Sequence, residues 1–478
     1  MLRQTKIVAT LGPATDPTEE LDALIGAGLD VARVNFSHGD AEDHVRRVEM
    51  VRQHARAHGR PIGILADLQG PKIRIESFRN GPITLTEGEV FYLDPGLAPD
   101  AGDAQRVGVT YRDLPRDVKR DDMLLLDDGN IVLQTEAVEN DEIRTRVVTG
   151  GILSNNKGIN RQGGGLSAAA LTAKDHEDIK LAGRLDAEYL AVSFARNAAD
   201  VQIARELFHA AGGRGGIMAK VERAEAIQNI DEIVDTADSV MIARGDLGVE
   251  IGDAELPGVQ KRIIRDARMR NRVVITATQM MQSMVENPQP TRAEVLDVAN
   301  AVLDGTDAVM LSAETSIGKH PAKVVEAMDR ICRGAERHQD LITLNRSIDA
   351  HFEKTEEAIA MSTMYAASHY DVTAILALTE SGATAKWMSR MVSGIPIYAV
   401  TTHRATQRRV ALYRGVYPID FTAKGQDDRA MSREAIAELV RVGAVRDGDR
   451  IIITQGDLSG VTGGTNTMRI VRVGAGVY

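Results

Sequence analysis

Short runs that are apolar throughout recur along the chain, separated by stretches whose apolar positions follow helical spacing. The runs are KIVATL (6–11), VARVNF (31–36), IGILADL (62–68), YLAVSF (189–194), GIMAKV (216–221), SVMIA (239–243), VVITA (273–277) and AVMLSA (308–313). Continuous apolar character, in place of alternation, marks parallel strands buried on both faces. Helical stretches such as TEELDALIGAGL (18–29) and AEAIQNIDEIVDTA (224–237) lie between most of them. Eight strand–helix units predict an α/β fold built on a (β/α)8 barrel.

The spacing breaks once, after the third run. PITLTEGEVFYLD and MLLLDDGNIVLQTEAVENDEIRTRVV alternate apolar and polar residues, with hairpin signals at Asp128-Gly129 and Asn140-Asp141. This predicts an inserted small β-barrel lid domain. Because it leaves from the C-terminal end of a strand, it would sit over the catalytic mouth and exclude water. Later, PQPTRAEVLDVANAVLDG (288–305) reads as one well-bounded helix. Thr291 and Glu294 are spaced as a capping box, Val295, Val298, Ala299 and Val302 share a face, and Gly305 stands at the exit. After about residue 340, helix and strand alternate again, predicting a C-terminal α/β domain with a smaller parallel or mixed sheet. The expected divisions are 1–68 with 167–340 for the barrel, 69–166 for the lid and 341–478 for the C-terminal domain.

Composition narrows the classes. A chain of 478 residues with 43 % hydrophobic and 26 % charged positions can bury several cores. A formal net charge of −11 argues against nucleic acid or an anionic membrane surface as partner, while leaving room for a local basic pocket that takes a phosphorylated metabolite. The single cysteine, Cys332, excludes a disulfide framework within the chain and fits a reducing cytoplasm. The apolar run near the N-terminus is shorter than the core of an export signal, and no run approaches the length of a membrane helix.

Catalysis in such barrels lives where the strands end. Here they stop at Thr10, Arg33 with Asn35, Asp67, Ser193, Lys220 with Glu222, Arg244 with Asp246, Thr278, and Ser312 with Glu314. Lys220 and Glu222 are two apart, so both occupy one face of their strand. Such a pair alone reads equally as a structural ion pair. Asp246, at the end of the next strand, changes the balance, because Glu222 and Asp246 together offer two hard oxygen ligands to Mg²⁺ and leave positions for water and substrate. Gly245 and Gly248 would let backbone N–H groups approach an anion. Arg33, ending an apolar strand, needs either a bound anion or a buried carboxylate. His38 reads equally as a solvated loop histidine. The Gly-rich stretch before Lys174 reads as a hinge, and TQMMQSM reads as packing.

Ten motifs, in order along the whole chain, resemble the pyruvate kinase family: KIVATLGPAT, DVARVNFSHG, DLQGPKIR, SNNKGIN, AVSF, AKVE, ARGDLGVE, TATQMMQSM, the long segment 288–321, and TNTMRI. The resemblance implies transfer of a phosphoryl group from phosphoenolpyruvate to ADP, then protonation of the enolate to pyruvate. By motif it implies Glu222 and Asp246 as ligands of Mg²⁺ or Mn²⁺. Lys220 would neutralise the moving phosphoryl group, with Arg33 assisting. The stretch Ala243, Arg244, Gly245 and Asp246 would hold the carboxylate of the substrate. Thr278 would stand at the face where the proton arrives, through a water, with Ser312 and Glu314 as supporting rim. Arg33, Asn35, His38, Arg74 and Lys174 would contact the nucleotide phosphates. A cytoplasmic homotetramer is implied, built on barrel and C-terminal contacts that include the helix at 291–304.

Two features depart from the family pattern. Around the monovalent-cation region of Asn35, Ser37 and Asp67, potassium-dependent members carry threonine and glutamate where this chain has Leu68 and Lys72. An oxygen ligand is lost and a fixed ammonium gained, so K⁺ is expected to be dispensable, with Lys72 in its place. In the C-terminal domain, Thr379, Ser381, Gly382 and Thr384 of LTESGATAKW are expected to hold an effector phosphate at a helix N-terminus. The loop lacks the basic residues of relatives that answer to fructose 1,6-bisphosphate, so a sugar monophosphate or AMP is expected. An ordinary capping loop is the competing reading. Two other classes compete for the whole chain: a metal-dependent barrel lyase acting on pyruvate enolates, which needs no lid or nucleotide set, and a catalytically silent scaffold, which would have lost one of Lys220, Glu222, Asp246, Arg33 or Thr278.

Overall fold

The computed structural model describes residues 2–338, 352–391, 393–422, 428–456 and 463–475. All eight apolar runs are strands: β1 (Lys6–Thr10), β2 (Val31–Asn35), β3 (Gly63–Asp67), β4 (Tyr189–Val192), β5 (Gly216–Val221), β6 (Ser239–Ala243), β7 (Val273–Ala277) and β8 (Ala308–Leu311). They pair in parallel in chain order, and β8 closes on β1. The strands read as unbroken apolar runs because both faces are covered. Ile7, Ile64, Val240 and Val309 pack outward against the helices, while Val8, Leu65, Met218, Met241 and Met310 fill the interior.

Four helices of the barrel matter below: α1 (Ala41–Ala57), α2 (Ala173–Arg184), α3 (Arg244–Ile251) and α4 (Arg292–Leu303). The capping box of α4 is formed, with Glu294 N–H donating to Thr291 Oγ1 and Thr291 N–H to Glu294 Oε2. The single helix expected over 224–237 is instead two, Ala224–Gln228 and Ile230–Thr236. Asn229 breaks it, its Nδ2 donating to the Arg196 carbonyl at 2.9 Å, a side-chain bond that competes with helix continuation.

Between β3 and α2 the chain forms the lid. Six strands line up in the order Ile159–Arg161, Met123–Leu126, Ile131–Glu139, Glu142–Thr149, Val90–Leu93 and Arg106–Val107, and a separate pair joins Gly151–Leu153 to Ile83–Leu85. The lid is thus two sheets folded about one core of residues such as Phe91, Leu124, Leu133 and Ile143. The Asn140-Asp141 turn has φ of 53° and 62°, the left-handed pair that a tight hairpin requires.

The C-terminal sheet is mixed. Its strands β9 (Ala374–Leu378), β10 (Ile397–Thr401), β11 (Val416–Asp420), β12 (Arg450–Gly456) and β13 (Thr465–Arg472) lie in the order β11-β10-β9-β12-β13, with only β13 antiparallel. Helix α5 (Ala383–Ser389) follows β9, and α6 (Arg404–Val410) follows β10. This domain plugs the N-terminal end of the barrel. Buried Arg390 pairs with buried Asp307 and donates to the Arg272 carbonyl, and Lys6 Nζ reaches the Val416 carbonyl. The expected boundary at 340/341 lies outside the described residues. Among the described residues, no helix is long and apolar enough to cross a membrane.

Candidate active site

The C-terminal ends of β2, β3 and β5 bring charged groups together beneath the lid. Arg33 Nε lies 2.6 Å from Asp67 Oδ2, and its Nη1 donates to Thr10 Oγ1 at 2.8 Å. Of the two needs open to Arg33, a buried carboxylate is the one met. Lys220 Nζ sits 2.9 Å from Glu222 Oε1 and 3.2 Å from Asp67 Oδ1, and donates to Ser193 Oγ at 2.7 Å. Ser193 in turn donates to the Leu68 carbonyl. Asp67 has no exposed surface, and despite that desolvation its carboxyl is held below the ordinary range by Lys220 and Arg33. Lys220 is likewise buried, yet Asp67 and Glu222 raise its pKa, so the ammonium stays charged.

Glu222 runs the other way. Burial, with the like charge of Asp246, pushes its carboxyl above the ordinary value, although Lys220 and the Phe194 N–H, which donates at 2.7 Å, oppose that. Two carboxylates at neighbouring strand ends, one of them reluctant to ionise beside the other, suit a dication that would relieve both. Among the described residues no group of three or more His, Cys, Asp or Glu side chains is placed to hold a metal. The chain therefore offers Glu222 and Asp246 and leaves the remaining positions to water and substrate, a donor set that fits Mg²⁺ or Mn²⁺. Cys332 is buried far from this chemistry in role, its thiol pushed up to about 12 by desolvation.

The charged finish of β6 divides its labour. Arg244 turns toward α4, where Nη1 and Nη2 each lie 2.7 Å from the Asp297 carboxylate, and it also donates to the Ala277 and Thr278 carbonyls. Its guanidinium thus anchors the start of α3, and only the backbone of Ala243–Asp246 is left to face a ligand. Gly245 N–H donates to Thr278 Oγ1 at 2.8 Å. Gly248 lies one turn inside α3 and faces the Leu256 side chain, so it does not present an N–H at the helix start as the sequence reading expected. Thr278 has φ of +68°, a strained setting for a β-branched residue, and its hydroxyl donates to the Ala277 carbonyl. Ser312 N–H and Met281 N–H both donate to buried Glu314, which holds the loops after β7 and β8 together.

The remaining candidates gather on the β2 and lid side. Asn35 Oδ1 accepts from Ser37 N–H, and Lys174 Nζ on α2 donates to the Phe36 carbonyl and to Asp178. Arg74 donates to the Asn156 carbonyl within the lid. Desolvation, then the charges of Arg74, Arg33 and Lys72, hold the His38 imidazole below its ordinary value, which places four cationic or basic groups in one neighbourhood. Lys72 Nζ is 3.3 Å from Asp246 Oδ1. Leu68, beside it in sequence, is buried. Three residues of this site had no role assigned from sequence. Ser193 was visible as a strand end, but its contact with Lys220 depends on the register of β4 against β5, with Val192 opposite Ala219. Asp297 lies on a helix 53 residues from Arg244, with no local signal. Glu250, at the far end of α3, accepts from Ala224 N–H and from Asn160 Nδ2 of the lid.

In the C-terminal domain, Thr379 Oγ1 accepts from Gly382 N–H at 2.9 Å, and Thr384 Oγ1 shares a 2.7 Å bond with Thr465 Oγ1. Gly382 has φ of +83°, and a Cβ there would meet Val410 at 2.5 Å, so the turn into α5 requires glycine. Thr379, Ser381 and Thr384 line a cleft of about 690 Å³, open to solvent and, among the described residues, without a lining lysine or arginine.

A closed parallel barrel whose mouth carries ammonium, guanidinium and carboxylate groups under a lid defines an enzyme that manages charge on a small anionic substrate. Residues 2–325 match the family described as pyruvate kinase, barrel domain, and residues 357–471 match pyruvate kinase, alpha/beta domain. The chain is 53 % identical over 476 residues to pyruvate kinase II of Salmonella typhimurium, covering 99 % of each chain. It is 51 % identical over 461 residues to pyruvate kinase of Haemophilus influenzae, covering 95 % of this chain and 96 % of that one. With pyruvate kinase of Geobacillus stearothermophilus it shares 42 % over 476 residues, 98 % of this chain and 80 % of that one. The chain belongs to the pyruvate kinase family, and it is a phosphotransferase.

Proposed function

We propose that the pocket at the ends of β2, β3, β5 and β6 transfers the phosphoryl group of phosphoenolpyruvate to ADP, giving ATP and an enolate that is protonated to pyruvate, the last step of glycolysis. Phosphoryl transfer asks little covalent work of a protein and much charge neutralisation at fixed positions. The observation that carries this reading is the Lys220 ammonium, buried and held by Ser193, Asp67 and Glu222 at the mouth. It stays charged and faces the space where a phosphoryl group would move, while Arg33 adds a second fixed cation from β2. Glu222 and Asp246 would hold Mg²⁺ or Mn²⁺, which when bound supplies positive charge to phosphate and enolate oxygens. The backbone start of α3 at Ala243, Arg244, Gly245 and Asp246, with the positive helix end, would take the substrate carboxylate.

The Thr278 hydroxyl already donates to the Ala277 carbonyl, which supports a water held beside Thr278, with Ser312, as the deliverer of the proton. Arg33, Asn35, His38, Arg74 and Lys174 would meet the nucleotide phosphates as the lid closes. Lys72 would stand in for K⁺ beside Asn35, Ser37, Asp67 and Leu68, a reading supported by its contact with Asp246.

A homotetramer is supported by two surfaces. Leu296 on α4 is 70 % exposed, and β13, the last described strand of the C-terminal sheet, carries exposed Ile470. We place the protein in the cytoplasm, which the single buried cysteine supports. A sugar monophosphate or AMP at Thr379, Ser381, Gly382 and Thr384 would activate it. Initial rates of ATP formation from phosphoenolpyruvate and ADP test the central reading, together with Mn²⁺ binding followed by electron paramagnetic resonance. Glu222→Gln and Asp246→Asn are expected to weaken both. Normal Mn²⁺ binding in both variants would refute the ligand assignment.

A further inference from the structure

A second cleft, about 710 Å³ and open to solvent, lies where the barrel meets the C-terminal domain, away from the mouth. Arg52, Arg56 and Arg60, from α1 and the turn after it, line it together with Arg404 and Arg408 from α6. Asp420 is the one carboxylate among its lining residues. In a chain of net charge −11, five guanidinium groups around one small cleft are a local exception.

The five are unequally satisfied. Arg408 is neutralised by Glu188 and Asp186, at 2.5 and 2.6 Å. Arg60 reaches the Ile25 and Leu29 carbonyls and, at 3.6 Å, an Asp30 that already pairs with Arg3. Arg52 spends Nη2 on the Leu185 and Asp186 carbonyls, and its buried Nε has no hydrogen-bond partner. Burial, then the neighbouring charge of Arg408, press the Arg52 pKa down, and the nearby Glu188 and Asp186, already paired with Arg408, offset this only in part. Arg56 and Arg404 have no carboxylate partner among the described residues. Ala55, Pro61 and Ile62 supply an apolar part of the wall.

We propose that this cleft binds a small phosphomonoester, its phosphate gripped between Arg56 and Arg404 with help from Arg52, and its carbon skeleton against Pro61 and Ile62. Paired guanidinium forks match phosphate geometry. The site is distinct from the loop at 379–384, whose cleft has no lining lysine or arginine among the described residues. It holds whether or not that loop takes an effector. The ligand would bridge the two domains at the root of the catalytic strands. Arg408 pairs with Glu188, which accepts from Ile64 N–H of β3, and Tyr189 of β4 donates to the Arg409 carbonyl. β3 carries Asp67 at its other end, so occupancy is expected to shift the saturation curve for phosphoenolpyruvate.

Calorimetric titration of the full chain, with Mg²⁺ and phosphoenolpyruvate saturating the mouth and ADP omitted, tests this. The probes are glucose 6-phosphate, AMP and inorganic phosphate, which separate a sugar ester from a nucleotide and from the bare anion. At least one ester is expected to bind the wild type and to lose about tenfold or more in affinity in Arg56→Ala/Arg404→Ala. Ser381→Ala/Thr384→Ala should keep that binding, and the maximal rate of the arginine variant should stay that of the wild type. Unchanged affinity in the arginine variant, loss in the loop variant instead, or binding of none of the probes would overturn the proposal.

Discussion

The Lys72 ammonium lies 3.3 Å from Asp246 Oδ1, joining the root of the lid to the first turn of α3. A fixed cation therefore already stands beside one of the proposed metal ligands. We expect turnover with K⁺ replaced by a large organic cation to equal that with K⁺, and Lys72→Glu to make the enzyme depend on K⁺. Collapse of the wild-type rate without K⁺ would contradict the role given to Lys72.

The bidentate contact between Arg244 and Asp297 fixes the start of α3 without touching the reacting groups. In Asp297→Ala the buried guanidinium keeps its two carbonyl partners, the Met280 sulfur and a long contact to Gln260 Oε1, but no charged partner. A loss of about 1–3 kcal/mol in stability is expected from leaving such donors underpaired. The KM for phosphoenolpyruvate should rise as the carboxylate-binding backbone loosens, and denaturant unfolding with steady-state kinetics measures both.

Glu250 ties the lid to the end of α3, and burial pushes its carboxyl up from 4.5 to about 7. An acid whose folded-state pKa is raised binds its proton more tightly when folded. Its contribution to stability is fully present below pH 4.5 and is lost as pH rises through about 7. Glu250→Gln, which keeps the shape of the side chain, should be more stable than the wild type by about 1–3 kcal/mol at pH 8 and show no advantage near pH 4.5. Parallel thermal melts of the two proteins across that range read the difference.

Arg390 and Asp307 form an ion pair with no exposed surface at the seam of barrel and C-terminal domain. Removing one partner strands the other charge, so Asp307→Ala should cost about 3–5 kcal/mol. Guanidinium unfolding should show the loss, whereas Arg441→Ala, at an exposed pair within one helix, should change little.

The barrel was legible because its strands are covered on both faces, which leaves unbroken apolar runs such as SVMIA and VVITA. The lid was legible through alternation and the Asn140-Asp141 turn. Less local facts were hidden. The break at Asn229 rests on a bond to the Arg196 carbonyl, which no helical period encodes. The pairing of Lys220 with Asp67 joins β5 to β3 across β4, so it exists only once those three strands have assembled. Arg244 looked like a member of the ring of mouth groups and turns out to be spent on α4, because Asp297 is brought to it by helix packing alone. The arginine-lined cleft has the same origin: α1 and α6 are over 300 residues apart in the chain and meet only through the seam between domains.

The most direct test of the account is the rate of phosphoryl transfer by Lys220→Met, measured beside its circular dichroism and Mn²⁺ affinity. Methionine keeps the length of the side chain and removes the buried charge. The account predicts an intact fold, retained Mn²⁺ binding and a kcat lowered at least about 10²-fold. A Lys220→Met enzyme that folds and turns over at the wild-type rate would contradict it.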